Sequence, residues 1–505
     1  MTSAQLQHDT LSQLNASVAR SSIESEDFGV GILHLGIGAF HRAHQAVYIQ
    51  AALEACLGDW GIIGVSFRSP KIRDQLAYQD QYYSVITHSN KDQKASLISV
   101  LKDVLFAKEN PTAVVQAIAD PRIKVITLTI TEKGYHQDPA TGKLQVEDPE
   151  IIQDLNIENP AQTALGYIVR GLDERRRNCG KPITLLSCDN LPKNGHTLLR
   201  LIQDFCECAA PDLLPWIAKN VSCPCTMVDG IVPAATQKSL KQAEKLLGVR
   251  DEAAVTCEEF RQWVIEDDFA TEHPDWKAAG VELVADVRPY EEMKLRLLNG
   301  CHSALAYLGY LGGYQTIAEV MSNHAYKAFA WRLICEEAGP SFALPNGYIL
   351  EEQAELLISR FSNPGLAHRT GQICMDGSQK LPQRLLNSLY SQLERNRSMP
   401  CTLLAVAAWI MYVSGTDEQG NLIDVSDPLA EELATLHGEG NLNAEQIAQN
   451  FLSLETIFGP KATQPKNLAD LLVSSLSELR SVGAKASVTK FTNRESMLSS
   501  ERSTE

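Results

Sequence analysis

The chain has 505 residues, of which 44% are hydrophobic and 21% charged, a composition typical of a folded globular protein and not of a disordered chain, a collagen or a coiled coil. Its 45 lysines and arginines against 62 aspartates and glutamates give a formal net charge of −17 at pH 7, which disfavours binding to nucleic acids and anionic membranes. No apolar run approaches the roughly 20 residues that span a bilayer, and the N-terminus lacks the pattern of a signal peptide, so we predict a cytoplasmic protein.

The apolar pattern predicts two folded domains between two polar ends. Four continuous runs of β-branched or apolar residues are typical of parallel strands covered on both faces; they are residues 30–35, 60–67, 123–130 and 183–187. These runs predict a doubly wound α/β domain over residues 29–288. From Tyr290 onward long helical patterns predominate, so residues 289–480 are predicted to form a mainly α-helical domain. Residues 1–28 and 481–505 are polar, and we expect a flexible lead-in and a frayed tail.

A glycine pair follows the first predicted strand. Gly36-Ile37-Gly38 precedes a helical pattern, and the missing side chains would let backbone amides approach a pyrophosphate. His41 replaces the third glycine of the dinucleotide fingerprint, so this pattern alone is equally compatible with an ordinary strand-to-helix turn. After the second strand, Arg68 occurs where an acidic residue would bind the ribose of NAD, and a guanidinium there could accept the 2′-phosphate of NADP. These residues therefore leave NADP open beside NAD as the cofactor.

Candidate catalytic residues cluster between residues 289 and 303. In an α-helix, Asn299 and His302 lie about 140° and about 80° around the axis from Lys294, so all three share one broad face. A lysine whose pKa is lowered in a partly desolvated cleft can remove the proton of an alcohol, and amide groups can stabilise the resulting alkoxide. Asn190, which follows the fourth predicted strand, offers a second amide.

The alternative interpretation of these residues is purely structural. A solvated lysine, a helix-interior asparagine and a core histidine are the more common roles for isolated residues of these types. The Asn299-Gly300 pair, however, weakens an apolar helix by roughly 1 kcal/mol. A helix that retains such a cost often has a functional reason, which favours a catalytic role.

The cysteines do not predict a metal site. The chain has 12 of them, and the closest pairs are Cys206-x-Cys208 and Cys223-x-Cys225. Neither pair has the spacing of a zinc site together with a second ligand pair. We therefore expect buried free thiols in a reducing compartment, and no metal.

Seven motifs in the same order as in a known family extend over most of the chain. They are HLGIGAFHRAHQA (34–46), LTITEKGY (128–135), SCDNLPKNG (187–195), CTMVDGIVPAAT (225–236), FRQWVIEDDF (260–269), KLRLLNGCHSALAYLGYLGGY (294–314) and MDGSQKLPQRLL (375–386). Through them the chain resembles the polyol-specific long-chain dehydrogenase/reductase, or mannitol dehydrogenase, family. The resemblance implies a Rossmann-type domain followed by a helical domain. It also implies metal-independent hydride transfer between NAD(H) and a small sugar acid or polyol, in a monomer or small homo-oligomer.

The resemblance assigns roles to individual residues. It implies that Lys294 is the general base and that Asn190 and Asn299 hold the reactive oxygen. The other implied roles are substrate contact for His302, a place beside nicotinamide and substrate for Asp229, substrate binding for Lys380, a proton path for Glu291, and cofactor binding for Gly36, Gly38, Phe40, Arg42 and Arg68.

Departures within these motifs indicate the substrate. Mannitol dehydrogenases have an arginine eight positions before Lys380, where this chain has Gln372. The stretch around Arg369 instead resembles the fructuronate reductase branch, and Arg369 with Lys380 could bind a carboxylate through charge-assisted contacts. The predicted reaction is therefore the interconversion of D-mannonate and D-fructuronate. The alternatives are mannitol 2-dehydrogenase activity or another polyol dehydrogenase activity and, more remotely, a non-catalytic dinucleotide sensor.

Overall fold

The computed structural model of the protein describes residues 3–89, 92–139, 141–366, 368–438 and 442–492. The chain forms two compact units that meet between Arg288 and Pro289. Among the described residues, no helix combines the length and the apolarity needed to cross a bilayer.

The first unit is built around a six-stranded sheet. Its strands are β1 (Val30–Leu35), β2 (Gly61–Ser66), β5 (Leu101–Phe106), β6 (Val125–Leu128), β7 (Ile183–Ser187) and β8 (Val221–Ser222). Their order is β5-β2-β1-β6-β7-β8, and every neighbouring pair is parallel. This is the strand order of a dinucleotide-binding fold, with a switch point between β1 and β6. The predicted doubly wound α/β class is confirmed.

Helices cover both faces of this sheet, which explains why its strands are almost continuously apolar. They are α1 (Ala39–Ala43), α2 (Gln45–Ala55), α3 (Lys71–Tyr78), α4 (Pro111–Ala119), α5 (Pro149–Leu155), α6 (Ala164–Asn178), α7 (Asn194–Ala209) and α8 (Leu214–Asn220). Helix α9 (Gln237–Leu247) packs instead in a core that contains Leu6 and Leu97, and 3-10 turns lie at His8–Gln13, Ser25–Asp27, Glu132–Tyr135 and Pro211–Leu213. Leu33 and Leu35 pack into one core with α4, α6 and α7, whereas Ile32 packs into another with α2.

Two three-stranded sheets complete the first unit. Their strands are β3 (Tyr83–His88), β4 (Gln93–Ile98), β9 (Thr226–Asp229), β10 (Val255–Glu258), β11 (Gln262–Glu266) and β12 (Glu282–Val284). The order is β10-β3-β4 in one sheet and β12-β11-β9 in the other.

The N-terminal segment differs from the expected flexible lead-in. Leu6, Leu14 and Val18 are buried against Leu97 of β4 and its neighbours. The Leu6 amide also donates to the Arg250 carbonyl over 2.8 Å. Three widely spaced apolar side chains and a few backbone hydrogen bonds are enough to order a segment that has no sequence periodicity of its own.

The second unit is helical, as predicted. Its α-helices are α10 (Arg288–Met293), α11 (Cys301–Leu311), α12 (Ile317–Ser322), α13 (His324–Arg332), α14 (Leu350–Phe361), α15 (Thr370–Cys374), α16 (Gly377–Leu381), α17 (Asn387–Leu393), α18 (Pro400–Tyr412), α19 (Ala430–Thr435), α20 (Ala444–Leu452), α21 (Glu455–Phe458) and α22 (Leu468–Thr489). Three π-helical segments, Lys294–Gly300, Leu333–Ala338 and Pro382–Leu386, and 3-10 turns at Gly339–Ser341, Pro364–Leu366 and Lys461–Thr463 join them.

The core of this unit surrounds α11 and α18. Most residues of both helices are buried, and Trp409 of α18 is fully enclosed. Helix α22 continues beyond the expected domain end at residue 480, with a break at Gly483 (φ +77°) and with Ala484 and Val488 fully buried. The rest of the expected tail, residues 493–505, lies outside the described residues.

Candidate functional site

In the first unit, most of the candidate cofactor residues follow β1, and Asn190, a candidate for holding the reactive oxygen, follows β7. In parallel α/β sheets the carboxyl ends of the strands lie at one edge, and ligands bind beside the switch point, here between β1 and β6. The glycine turn follows β1, the segment beginning at Thr129 follows β6, and Asn190 follows β7.

The glycine turn has the backbone geometry that a dinucleotide site requires. Gly36 has φ +95°, and a Cβ on this residue would lie 2.2 Å from the Thr129 carbonyl oxygen, so only glycine fits. Gly38 is exposed, and a Cβ there would meet only the Gly36 carbonyl oxygen, at 3.7 Å. The space beside Gly38 is therefore open to a ligand, and the turn fits a nicotinamide dinucleotide.

Two buried histidines, His34 and His41, pack beside the glycine turn. His34 hydrogen-bonds through Nδ1 with Thr127 Oγ1 (2.7 Å) and through Nε2 with Thr129 Oγ1 (2.9 Å). The His41 ring stacks on His34 with centroids 3.4 Å apart. Burial lowers the pKa of His34 to about 3 and that of His41 well below its ordinary value, so both rings are neutral. His41 occupies the position of the missing third glycine of the fingerprint. Its ring packs on His34, whereas a glycine there would let the helix approach the strand closely.

The other expected cofactor residues occupy different environments. Phe40 stacks on the His44 ring with centroids 4.9 Å apart. Arg42 is buried, donates from Nε to the Gly38 carbonyl (3.3 Å) and lies over the Tyr83 ring. Arg42 thus supports the turn, and the direct cofactor contact that the family resemblance implies stays a prediction. Arg68 is exposed just beyond β2.

Asp189 and Asn190 follow β7. The Asp189 carboxylate accepts hydrogen bonds from the Ile130 and Thr131 amides and from the Tyr135 hydroxyl, at 2.8 to 3.0 Å. Burial raises the pKa of Asp189, and these three donors oppose that rise. Asn190, the next residue, is exposed. Asp229 is buried at the end of β9, a separate strand of the unit.

In the second unit, the candidate base lies in a π-helix instead of the α-helix that the sequence predicted. The π-helical segment Lys294–Gly300 follows α10, which carries Glu291, and leads into α11, which carries His302. A π-helix closes its backbone hydrogen bonds between residues i and i+5, so Lys294 and Asn299 lie about one turn apart, on the same side. The angle of about 140° expected for an α-helix is therefore wrong. Both residues are half-buried.

Gly300 has a packing reason for its place in this helix. A Cβ on Gly300 would lie 2.7 Å from the carbonyl oxygen of Arg384, in the neighbouring π-helical segment. Glycine thus allows two helices to approach closely at the point where Asn299 and Arg384 reside. The unfavourable Asn299-Gly300 pair, which the sequence marked as functional, is explained first by this contact.

His302 lies in a basic environment. Its ring is buried, stacks on Phe361 with centroids 5.1 Å apart and meets His368 edge-on at 4.8 Å. Burial lowers the pKa of His302 well below its ordinary value, and nearby basic groups lower it further; they are His368, Arg384, Arg360 and Lys380. His302 is therefore neutral and can donate or accept a hydrogen bond.

Of the expected substrate-binding cations, Lys380 contributes to the lowered pKa of His302, and its ammonium donates to the Met375 carbonyl over 2.6 Å. Arg369 is an exposed residue at the start of α15. Sequence reasoning missed Arg360, which is buried, and Arg384, whose guanidinium donates to the Ser303 hydroxyl over 3.0 Å. The only signal for Arg384 was its place in the motif MDGSQKLPQRLL, and nothing in the local pattern distinguishes Arg360 from an ordinary helix residue.

Two groups of described residues bring three potential metal ligands within 4.8 Å of one another: His196, Cys225 and Glu266, and His136, Asp148 and Glu150. The Glu266 carboxylate already accepts from the Cys225 and Val287 amides. The Asp148 carboxylate caps α5 by accepting from the Glu150 amide. Each group thus has a structural role, and a metal-independent site stays a prediction.

Comparison with known proteins covers both units. Residues 30–278 match the Mannitol dehydrogenase Rossmann domain, and residues 286–480 match the Mannitol dehydrogenase C-terminal domain. The chain is 42% identical over 483 residues to the D-mannonate oxidoreductase of Escherichia coli (strain K12). The aligned region covers 95% of this chain and 99% of that protein. It is 34% identical over 493 residues to a mannitol 2-dehydrogenase of Phaeosphaeria nodorum, and this alignment covers 96% of this chain and 85% of that protein.

Among solved structures, a ternary complex of Pseudomonas fluorescens mannitol 2-dehydrogenase with NAD and D-mannitol matches with a TM-score of 0.85 and 34% identity. The match covers 97% of this chain and 99% of that chain. The family resemblance inferred from the seven motifs is confirmed: this chain belongs to the mannitol dehydrogenase family of oxidoreductases.

Proposed function

We propose that this protein is an NAD(H)-dependent oxidoreductase that interconverts the sugar acid D-mannonate and its ketone oxidation product, D-fructuronate. The observation that carries the proposal is the set of basic side chains around the buried His302. The 42% identity to a D-mannonate oxidoreductase supports it.

The basic residues around His302 match the chemistry of a carboxylate. Arg360 is buried, and Arg384 is half-buried beside Ser303. A guanidinium in a poorly solvated position binds a carboxylate through short charge-assisted hydrogen bonds, whereas an uncharged polyol gains much less from it. We therefore assign carboxylate binding to Arg360, Arg384 and Lys380, and no longer to Arg369.

We assign the proton transfer to Lys294. The π-helix brings Asn299 to the same side of the helix as Lys294, so an amide donor is available near the amine that removes the hydroxyl proton. The neutral His302 imidazole, one turn further on, can hydrogen-bond a substrate hydroxyl. Glu291, in the preceding turn, is our candidate for passing the proton to solvent, and Asn190 retains the second amide role that the family resemblance implies.

NAD is the proposed cofactor, and it supplies the acceptor for the hydride that leaves the alcohol carbon. The exposed Gly38 and the constrained Gly36 provide the phosphate-binding turn. The family relative from Pseudomonas fluorescens was solved with NAD, which supports the same choice here. The exposed Arg68 keeps NADP as an alternative to be measured.

The deciding experiment compares kcat/KM for D-mannonate and D-mannitol with NAD, followed at about 340 nm. We expect a preference for mannonate. Arg384→Gln should lower kcat/KM for mannonate by about 10- to 100-fold, the worth of a hydrogen bond to a charged group, and change the value for mannitol much less. Arg384→Lys, which keeps the charge, should recover part of the loss, and Arg369→Gln, at an exposed position, serves as the control. Equal losses on both substrates would refute the carboxylate assignment.

The rival functions are separated by the same assay. A wild-type preference for mannitol would identify a mannitol 2-dehydrogenase, in agreement with the 34% identical relative. Binding of NADH without turnover of any polyol or sugar acid would favour a dinucleotide sensor. Lys294→Ala should abolish turnover while leaving NADH binding intact, and near wild-type turnover in this variant would show that the base is misassigned. Cytoplasmic location and a monomer or small homo-oligomer stay predictions.

A further inference from the structure

Thr131 has a backbone conformation that β-branched residues almost never adopt. Its φ is +66° and its ψ is 160°, a region occupied essentially by glycine. Such a residue persists only where its surroundings hold it in place, and outliers of this kind are concentrated at ligand-binding sites. Thr131 lies in the loop after β6, at the switch-point edge of the sheet, and its side chain is exposed.

The Asp189 carboxylate holds this conformation. One oxygen accepts from the Thr131 amide at 3.0 Å, and the other accepts from the Ile130 amide at 2.9 Å and the Tyr135 hydroxyl at 2.8 Å. The Tyr135 hydroxyl is also 2.6 Å from the Ser187 hydroxyl, the last residue of β7. A single carboxylate therefore joins the loop after β6 to the end of β7.

The same loop also contacts the glycine turn. The Thr129 hydroxyl donates to the Gly36 carbonyl over 2.9 Å, and the Thr129 carbonyl fills the space where a Gly36 side chain would be. A continuous series of contacts thus runs from Gly36 through Thr129 and Thr131 to Asp189. Asn190, the candidate oxygen-holding amide, is the next residue along the chain.

We propose that Asp189 is a positioning residue: its carboxylate holds the loop of residues 129–131 in the strained form and so sets the places of the Asn190 amide and the glycine turn for hydride transfer. Because the inference rests on the oxidoreductase reaction but not on its substrate, either mannonate or mannitol can be used in the assay.

The first test is Asp189→Asn. An asparagine keeps the shape but places an NH2 group against a donor and offers only a neutral acceptor to the remaining donors. We expect kcat to fall by about 10- to 100-fold, the scale of a small misplacement of reacting groups. NADH binding, followed by quenching of protein fluorescence, should weaken by about threefold or more because the loop supports the Gly36 turn.

Asp154→Asn is a matched control. The Asp154 carboxylate is fully buried in the same unit and also accepts from two backbone amides and one hydroxyl, those of Gln162 and Thr163. It holds Thr163, the N-cap residue of α6, and has no hydrogen bond to the loop of residues 129–131 among the described residues. We expect this variant to lose stability without a comparable loss of kcat or NADH affinity. Equal kinetic losses in the two variants would mean that Asp189 is merely structural.

The second test is rescue. Glycine adopts positive φ without strain, so Thr131→Gly in the Asp189→Asn background should restore much of the lost kcat. Failure of the rescue would overturn the positioning role. A wild type that is inactive on all sugar acids and polyols would refute the proposed function instead. In that case the NADH affinities of the Asp189→Asn and Asp154→Asn variants still decide this inference, and equal affinities would refute it.

Discussion

Acidification should destabilise the first unit through the side chain of His34. This residue is fully buried beneath the glycine turn and hydrogen-bonded with Thr127 and Thr129. Burial lowers its pKa from 6.5 to about 3. Between these two pH values the unfolded chain binds a proton here and the folded chain does not, so the free energy of unfolding decreases as the pH falls through this window.

The size of the effect follows from the pKa difference. At about pH 5, some 1.5 units below the pKa of the unfolded chain, His34 should reduce the free energy of unfolding by about 2 kcal/mol relative to about pH 7.5. His34→Gln removes the titrating group while an amide can still bond to the two threonine hydroxyls. The difference in stability between wild type and variant should therefore change by about 2 kcal/mol between the two pH values.

Equilibrium urea unfolding, followed by intrinsic fluorescence at both pH values, measures this difference. The other histidines are common to both proteins, and their contributions cancel except for that of His41, whose ring stacks on His34 and whose pKa His34 lowers; a second pair of proteins with His41→Gln in both removes that contribution. Histidine hydrogen–deuterium exchange read by mass spectrometry gives the pKa of His34 directly. Identical pH dependence in the two proteins, or a His34 pKa near 6.5, would refute the argument.

Two further predictions concern the glycines that permit close packing. Gly36→Ala places a Cβ 2.2 Å from the Thr129 carbonyl at a positive φ, so NADH affinity measured by fluorescence titration should fall at least about tenfold, and unchanged affinity would show that this turn does not bind the cofactor. Gly300→Ala places a Cβ 2.7 Å from the Arg384 carbonyl, so thermal unfolding should show a loss of about 1 to 3 kcal/mol in the free energy of unfolding, and kcat should also fall. Gly313→Ala is the control, because a Cβ on Gly313 meets open space at a positive φ. This variant should lose stability through backbone strain alone and retain kcat.

Part of the site was predictable because its signals are local. The glycine pair after an apolar run predicted the turn at Gly36 and Gly38, since a strand and a helix N-terminus need only a few consecutive residues to be recognised. Lys294 and Asn299 were selected as candidates in the same way, through a helix that carries an unfavourable Asn-Gly pair. The α-helical angle between them does not apply, because a π-helix and an α-helix have nearly the same apolar pattern over seven residues.

The basic residues around His302 were only partly predictable. Lys380 was found through its motif, but Arg360 lies far from His302 in the chain and on a different helix. Likewise, nothing in the sequence indicates that Thr131 has a positive φ, because that conformation is imposed by the Asp189 carboxylate from another loop.

The sequence by itself determined the two architectures, four of the six strands of the parallel sheet and the places of the glycine turn and the candidate base. These features depend on hydrophobic periodicity and on short-range backbone preferences, which neighbouring residues express on their own. Tertiary structure alone decided the neutral state of His34 and His302, the basic surroundings of His302 and the strained loop at Thr131. Burial, electric fields and hydrogen bonds between distant segments create these properties, and they exist only after the chain has brought those segments together.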